Sequence, residues 1–246
     1  TMKILLLDIE TSPNVAYVWG LFKQNINISH IIDSGTVMCW AAKWLGEDKV
    51  MFASTRHGHK KMLKQVYKLL EEADAVVHYN GARFDVPTLN KEFLLLGFAP
   101  PSSFQQVDLL RTARTKFRFP SNKLDYIAKA LGVGGKTKHA GFQLWVDCLA
   151  GSQAAWAQME EYNKNDVTLL EKVYYKLLPW IKNHPNVSVY TGTPHSCPNC
   201  GGLALTKRGF HHTITMKYQR YQCKDCGTWS RAKTGAGVKE GLTHVG

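Results

Sequence analysis

The chain opens on an unbroken apolar run, Ile4 to Leu7 within MKILLLDIET (2–11), which then gives way to strict alternation. Such a run predicts a strand covered on both faces. HIIDSGTVMCWAAKWL (30–45) and KVMFAST (49–55) predict two further strands, paired with each other. In KKMLKQVYKLLEEA (60–73) the period changes, and Met62, Leu63, Val66, Leu69 and Leu70 recur at helical spacing. DAVVHYN (74–80) predicts a short strand. VPTLNKEFLLLGF (86–98) predicts a helix, with Pro87 in its first turn and Gly97 at its end. QVDLL (106–110) predicts a strand, and NKLDYIAKALGVG (122–134) a helix closed by glycines. QAAWAQMEEYNKNDVTLLEKVYYKLLPWI (153–181) predicts a long helix ended near Pro179. Strands first, then strand–helix alternation, define a layered α/β domain with a mixed sheet.

Periodicity then stops. KNHPNVSVYTGTPHS (182–196) carries Pro185, Gly192 and Pro194 and no helical pattern. The expected organisation is therefore a domain over 2–182, a linker over 183–196 and a small module over 197–246.

Three polar interruptions of the apolar pattern carry candidate chemistry. In LLLDIET, Asp8 and Glu10 alternate with Ile9, so the two acids share a strand face about 7 Å apart. At an effective dielectric of about 20 and a separation of about 6 Å, their repulsion is on the order of 3 kcal/mol. Basic neighbours or a divalent cation must offset it, unless the two are simply solvated at a strand end. In HYNGARFDVPTL (78–89), Asn80 ends a strand and Asp85 precedes a helix start. A helix N-cap would account for Asp85 but not for Asn80. In YNKNDV (162–167), Tyr162 and Asp166 lie four residues apart and so share one helix face. Leu169, Leu170 and Val173 continue the apolar stripe on or near that side. Asp166 then points toward the core, an unusual place for an acid without a partner.

Taken in order, DIET, NGARFD and YNKND resemble the three motifs of the DEDDy branch of the DnaQ-like 3′–5′ exonucleases. The resemblance covers roughly residues 2–180, and KLDYIAKALGVGGK (123–136) is similar to the family's segment before the last motif. The sister DEDDh branch has a histidine five residues before the last aspartate; here that position is Glu161, which selects the tyrosine branch. The resemblance implies an RNase H-like fold, a mixed five-stranded sheet flanked by helices. It also implies two Mg²⁺ or Mn²⁺ ions, about 3.5–4 Å apart in such sites. Asp8 would bridge both ions, Glu10 and Asp166 would complete one, and Asp85 would support the other. Tyr162, with an ordinary pKa near 10, is a poor general base and would aim the attacking water. The stretch after the first motif, Thr11 and Ser12, and also Asn80, would lie near the terminal nucleotide.

Substrate contacts are suggested by composition. RTARTKFRFPSNK (111–123) interleaves Arg111, Arg114, Lys116, Arg118 and Lys123 with Phe117 and Phe119. Cations for phosphates and rings for bases compose a single-strand groove; a solvated loop with two anchoring rings has the same composition. GGKTKHAGF (134–142) offers a weaker version.

Charge sharpens the expectation of a polyanionic partner. The formal net charge of the 246 residues is +12. Residues 191–246 hold eight Lys and Arg against two acids, a net +6 in 56 residues, so the tail is far denser in positive charge than the rest. Four of the six cysteines form two pairs, CPNCGG (197–202) and CKDCG (223–227), separated by 22 residues. Cys197, Cys200, Cys223 and Cys226 suit one tetrahedral structural Zn²⁺, and the module resembles a zinc ribbon in which LALTKRG (203–209) pairs with KYQRYQC (217–223). Zinc with four thiolates lowers the formal charge of the module to +4, still basic. Cys39 and Cys148 stand alone in apolar surroundings and read as packing residues.

No segment reaches the roughly 18 apolar residues of a membrane span, and the chain reads as a cytoplasmic protein with no membrane partner. The expected function is metal-dependent 3′–5′ exonucleolysis of DNA with a free 3′ end, in replication or repair and with a possible protein partner there. The same chemistry on RNA is one alternative. A non-catalytic nucleic-acid-binding or polymerase-accessory protein is another.

Overall fold

A computed structural model of the chain describes residues 2–137, 141–237 and 242. The weakly basic segment at 134–142 and the tail of the cysteine module therefore lie partly outside the described residues. The chain divides into two compact units, Lys3–Tyr174 and a second that begins at Tyr175.

The first unit is built on β1 (Ile4–Thr11), the central strand. After it come two short strands, β2 (Val15–Ala16) and β3 (Ile31–Asp33), which pair with each other outside the main sheet. They root an apolar finger in which Trp19, Leu21 and Phe22 are exposed. The chain then re-enters the sheet as β4 (Val37–Trp44) and β5 (Val50–Ser54), crosses as α1 (His59–Glu72) and returns as β6 (Ala75–His78). There follow α2 (Asp85–Leu95), β7 (Gln105–Asp108), α3 (Leu109–Lys116), α4 (Leu124–Ala130), α5 (Gln143–Leu149) and α6 (Gln153–Leu177). The sheet order is β5-β4-β1-β6-β7. β1 runs antiparallel to β4 and parallel to β6; β4 and β5 are antiparallel, β6 and β7 parallel. This is the mixed five-stranded sheet flanked by helices that the motifs imply.

The alternation of β1 sorts its side chains between two layers. Leu5, Leu7 and Ile9 enter a core with Met62, Leu63, Val66 and Leu70 of α1 and Leu89 and Phe93 of α2. A second core joins Met38 and Cys39 of β4 to Leu144 and Cys148 of α5 and Trp156, Met159 and Tyr162 of α6. Cys39 and Cys148 are both buried, in keeping with packing roles. The ion pair of Lys43 with Glu171 is buried and ties β4 to α6, and Glu171 also accepts from the Gly46 N–H at 3.0 Å.

Two expected elements are corrected. The stretch 30–45 is not one strand but β3 and β4, broken around Gly35. A Cβ at Gly35 would lie 2.3 Å from the Ser12 carbonyl oxygen, so the chain turns there on a residue without a side chain. The strand expected over 106–110 ends at Asp108, whose carboxylate accepts from the N–H groups of Leu110 and Arg111 and starts α3. The apolar Leu109 and Leu110 are thus helical. Arg111, Arg114 and Lys116 consequently project from a helix, and α5 is an additional element that short-range periodicity did not reveal.

In the second unit the stretch 183–196 contains one short helix, α7 (Val187–Thr191). Beyond it β8 (Leu205–His212) and β9 (Met216–Cys223) form the expected hairpin. β10 (Trp229–Arg231) and β11 (Ala236–Gly237) pair with the other edge of β9. Among the described residues no helix is long and apolar enough to cross a membrane.

Candidate active site

The face of β1 turned away from α1 and α2 carries Asp8 and Glu10, and it meets α6. One turn of that helix brings Tyr162, Asn163 and Asp166 to the strand, all three buried. Ligand oxygens of Asp8, Glu10 and Asp166 lie within 4.8 Å of one another. The helical spacing that places Tyr162 beside Asp166 is therefore what closes the cluster from above the strand. Asn163, a residue the motif reading passed over, donates from Nδ2 to Asp8 Oδ2 at 2.6 Å. Its only signal in the sequence was that it stands three residues before Asp166, on the same helix face.

Asp85 enters from the opposite layer. It is the first residue of α2, one position beyond the N-cap Phe84. Its Oδ1 accepts from the Ile9 N–H at 3.1 Å, fixing the strand between Asp8 and Glu10. Asp85 stands outside the tight three-carboxylate group but close enough to raise the pKa values of Asp8 and Glu10.

The turn that delivers the second motif is made by Gly81. A Cβ there would lie 2.4 Å from His78 Cγ, so only glycine fits over that ring. The Gly81 N–H donates to His78 Nδ1 at 3.1 Å, which leaves Nε2 to donate to Gln106 Oε1 at 3.1 Å. Burial holds the ring below its ordinary pKa against the opposing effect of Asp108, consistent with a neutral imidazole. Asn80 adopts a left-handed backbone, φ 70°, with its N–H donating to Asp108 Oδ1 at 3.0 Å.

The electrostatics of the cluster favour a cation. Burial, then Asp85, Glu10 and Asp166, raise the Asp8 carboxyl well above the ordinary range. Burial pushes Glu10 to about 8 despite the opposing Lys136, and burial pushes Asp85 to about 7 despite the Ile9 hydrogen bond. Lys136 lies against the group: its ammonium pairs with Asp166 and donates to the Tyr162 hydroxyl at 3.0 Å. It also lies 5.0 Å from the Tyr162 ring centroid. Burial lowers its pKa, but Asp166 and Tyr162 more than offset this and hold it above the lysine range. Burial and Asp166 likewise raise the Tyr162 phenol. Hard carboxylate oxygens crowded in a buried site, with Lys136 as the cation beside them, are a donor set suited to Mg²⁺ or Mn²⁺.

A cleft of about 600 Å³ adjoins Asp8 and is lined by Tyr79, Asn80, Arg114, Asn122, Lys123 and Lys136, among others. Of the basic and aromatic residues expected to hold substrate, Arg114 and Lys123 thus reach the site. Arg111 and Arg118 are exposed, and Lys116, Phe117 and Phe119 half-buried, but none of these lines the cleft. The Phe117 and Phe119 rings lie 5.6 Å apart and pack on each other. Thr11 and Ser12 line a different hollow, about 370 Å³, with Phe142 and Trp145. There the Ser12 hydroxyl accepts from the Thr36 N–H at 2.9 Å. Trp145, also passed over by the motif reading, sets its ring 6.0 Å from that of Tyr162.

In the second unit, Cys197, Cys200, Cys223 and Cys226 bring their sulfurs within 4.8 Å of one another. Cys197 and Cys226 are 3.6 Å apart, and Cys200 and Cys223 3.7 Å. A tetrahedral zinc–thiolate centre with bonds of about 2.3 Å has sulfur–sulfur edges of about 3.8 Å, so the four thiols fit that ion. The two knuckles are built alike. Gly201 and Gly227, each following the second cysteine of its pair, have φ of 75° and 81°. Their N–H groups donate to the Cys197 and Cys223 carbonyls at 2.9 and 3.0 Å.

These features agree with the comparisons. A family model described as the RNase_H superfamily matches residues 5–178, and the chain belongs to that superfamily. Among solved structures it is similar to the family B DNA polymerase from the hyperthermophilic archaeon Pyrobaculum calidifontis, with a TM-score of 0.54 and 17% sequence identity. That similarity covers 87% of this chain and 31% of the polymerase chain, so it is a likeness of fold over about a third of the larger protein. The comparison with curated proteins returned no match.

Proposed function

We propose that this chain is a divalent-cation-dependent 3′–5′ exonuclease of the DEDDy type, releasing nucleoside monophosphates from the 3′ end of DNA. The observation that carries the reading is the convergence of Asp8, Glu10 and Asp166 oxygens within 4.8 Å, beside the buried Tyr162. Membership of the RNase_H superfamily supports a nuclease, and the fold shared with a DNA polymerase supports DNA as substrate in replication or repair. A pair of Mg²⁺ or Mn²⁺ ions held by these three residues, with Asp85 in support, would stabilise charge at the attacked phosphate and acidify the attacking water.

The protein's own groups divide the remaining work. Asp8 and Glu10 present their carboxylates from one strand face, Asp166 from the helix above, and Asp85 fixes the strand between the first two through the Ile9 N–H. Asn163 holds one Asp8 oxygen in place. Tyr162, its phenol raised above an already high pKa, stays protonated and orients water by donating a hydrogen bond. Arg114 and Lys123 bring positive charge to the cleft for substrate phosphates. The four-cysteine cluster would hold one structural Zn²⁺, making the basic module over 197–246 a zinc ribbon that aids nucleic-acid binding beside a nuclease domain over 2–182. Thiols kept for zinc fit the reducing cytoplasm.

Digestion of 5′-labelled single-stranded DNA, duplex DNA and RNA with Mg²⁺ or Mn²⁺ tests the reading. The expected result is a ladder shortening from the 3′ end of DNA, lost in Asp8→Ala. Internal cuts, preference for RNA, or full activity in Asp8→Ala would contradict it.

A further inference from the structure

We infer that one face of the second unit's sheet, carrying Trp229, Arg220, Arg231, Tyr218 and His211, is a stacking surface for single-stranded DNA. The inference deepens the nucleic-acid role proposed above and rests on it.

Cross-strand partners share a sheet face. The register pairs Arg231 with Arg220, and His211 with Tyr218. Trp229 pairs with Gln222, two residues along from Arg220 and four from Tyr218, so all five side chains occupy one face across β10, β9 and β8. They interact diagonally. The Arg220 guanidinium lies 4.7 Å from the Trp229 ring centroid and that of Arg231 lies 3.9 Å from the Tyr218 ring. The His211 ring is 6.5 Å from Tyr218 on the far side. Planar groups therefore follow one another across three strands.

A bulge sets the arginine in the middle. The pairing of β8 with β9 shifts between Lys207 and Phe210, where Gly209 has φ 62°. The carbonyl of Arg208 thereby accepts from Arg220 Nε at 2.8 Å. That contact orients the guanidinium plane while its terminal nitrogens remain available for phosphate.

These rings are not a core. Trp229 is 49% exposed, and Arg220, Arg231 and His211 are exposed too. Among described residues 203–237 the sole acid is Asp225, beside the cysteine cluster and off this face, against seven Lys and Arg. The complement of such a surface is a polyanion that also offers flat apolar faces. Single-stranded nucleic acid has both, whereas a duplex hides its bases in the stack. DNA is the expected occupant because the same chain is proposed above to act on DNA.

The test is fluorescence anisotropy of 5′-fluorescein-labelled dT30 with the full chain, without added Mg²⁺ or Mn²⁺ so that binding is separate from cleavage. Trp229→Ala and Tyr218→Ala each weaken binding about 5- to 150-fold, while Trp229→Phe and Tyr218→Phe keep most of it. Arg220→Gln and Arg231→Gln each flatten the dependence of log affinity on log salt by about 0.7; they also report on this face if an alanine variant loses its zinc. Phe210→Ala, on the opposite face, changes affinity less than twofold. Duplex DNA of the same length competes poorly. The inference is overturned if the full chain does not bind dT30, if the Phe210 variant is as damaged as the Trp229 variant, if duplex competes equally, or if only an rU30 probe binds. Intact dT30 binding without cleavage in Mg²⁺ would refute the nuclease reading instead, and cleavage with unaltered binding in Trp229→Ala, Tyr218→Ala, Arg220→Gln and Arg231→Gln would refute the stacking surface alone.

Discussion

Lys136 and Asp166 form an ion pair at the buried carboxylate cluster, and the same ammonium donates to the Tyr162 hydroxyl at 3.0 Å. This lysine brings positive charge to three crowded acids. Removing it leaves a buried carboxylate without its partner, a change worth about 3–5 kcal/mol when the remaining charge cannot escape. Relaxation around the vacated site reduces that cost, so Lys136→Met is expected to cost about 2 kcal/mol, or about 4–8 °C in melting temperature. Saturating Mn²⁺ restores most of that loss. Thermal melts with and without Mn²⁺ check this: an equal metal-induced shift in wild type and variant would show that Lys136 does not compensate the site.

Tyr162→Phe keeps the ring packed 6.0 Å from Trp145 and removes the hydroxyl alone. Because the phenol orients a group and holds no ion, kcat falls about 10- to 100-fold while Mn²⁺ affinity stays within about threefold. Calorimetry beside single-turnover cleavage separates the two quantities, and a parallel loss of metal affinity would make Tyr162 a structural support of the cluster.

Glu10 and Asp85 are pushed up to about 8 and about 7, chiefly by burial. In unfolded chains such carboxyls titrate near pH 4, so between the two values the folded protein binds more protons. The stability this gives is fully present below the unfolded value and is lost as pH rises through the folded ones. Metal-free protein is therefore expected to melt progressively lower from about pH 5 to about pH 8, with a shallower slope in Asp85→Asn. Metal binding needs deprotonated ligands and strengthens over the same window. Melting curves at several pH values, with and without Mg²⁺, read both slopes; a metal-free stability that climbs through this window would contradict the burial of these acids.

Gly81→Ala places a Cβ where His78 Cγ lies 2.4 Å away. Overpacking of this kind costs about 1–3 kcal/mol, and the displaced turn carries Asn80 and the start of α2. Chemical denaturation together with cleavage assays should show both stability and activity falling; a neutral effect would mean that the His78 ring moves freely.

Cys200→Ser removes one of four converging thiols. Zinc content is expected to fall and hydrogen exchange in β8 and β9 to accelerate, since a bound Zn²⁺ would supply much of the stability of so small a sheet. Retained zinc with unchanged protection would show that the cluster is not a metal site.

The sequence exposed the parts of this molecule that depend on short spacing. Alternation in β1 sorted Asp8 and Glu10 from Ile9, the four-residue step of α6 set Tyr162 beside Asp166, and the two CxxC knuckles declared themselves. What stayed hidden depends on contacts between distant segments. Asp108 reads as a strand residue until its carboxylate is seen to cap α3, and Gly35 reads as an interior strand residue until Ser12 is placed beside it. Lys136 lay in a weakly basic stretch of ordinary composition, and its role follows only from α6 passing overhead. Arg114 and Lys123 could not be separated from Arg111 and Arg118 by composition, because the α3 helix and the loop after it decide which cations line the cleft.

Side chains from β1 and α6 converge on a pocket whose hard oxygens suit divalent cations. Anomalous diffraction from crystals soaked in Mn²⁺ measures this directly. A manganese peak bounded by oxygens of Asp8, Glu10 and Asp166 is expected, with the Lys136 ammonium displaced from Asp166. Ordered carboxylates without a peak, and Lys136 still paired to Asp166 at saturating Mn²⁺, would contradict that expectation.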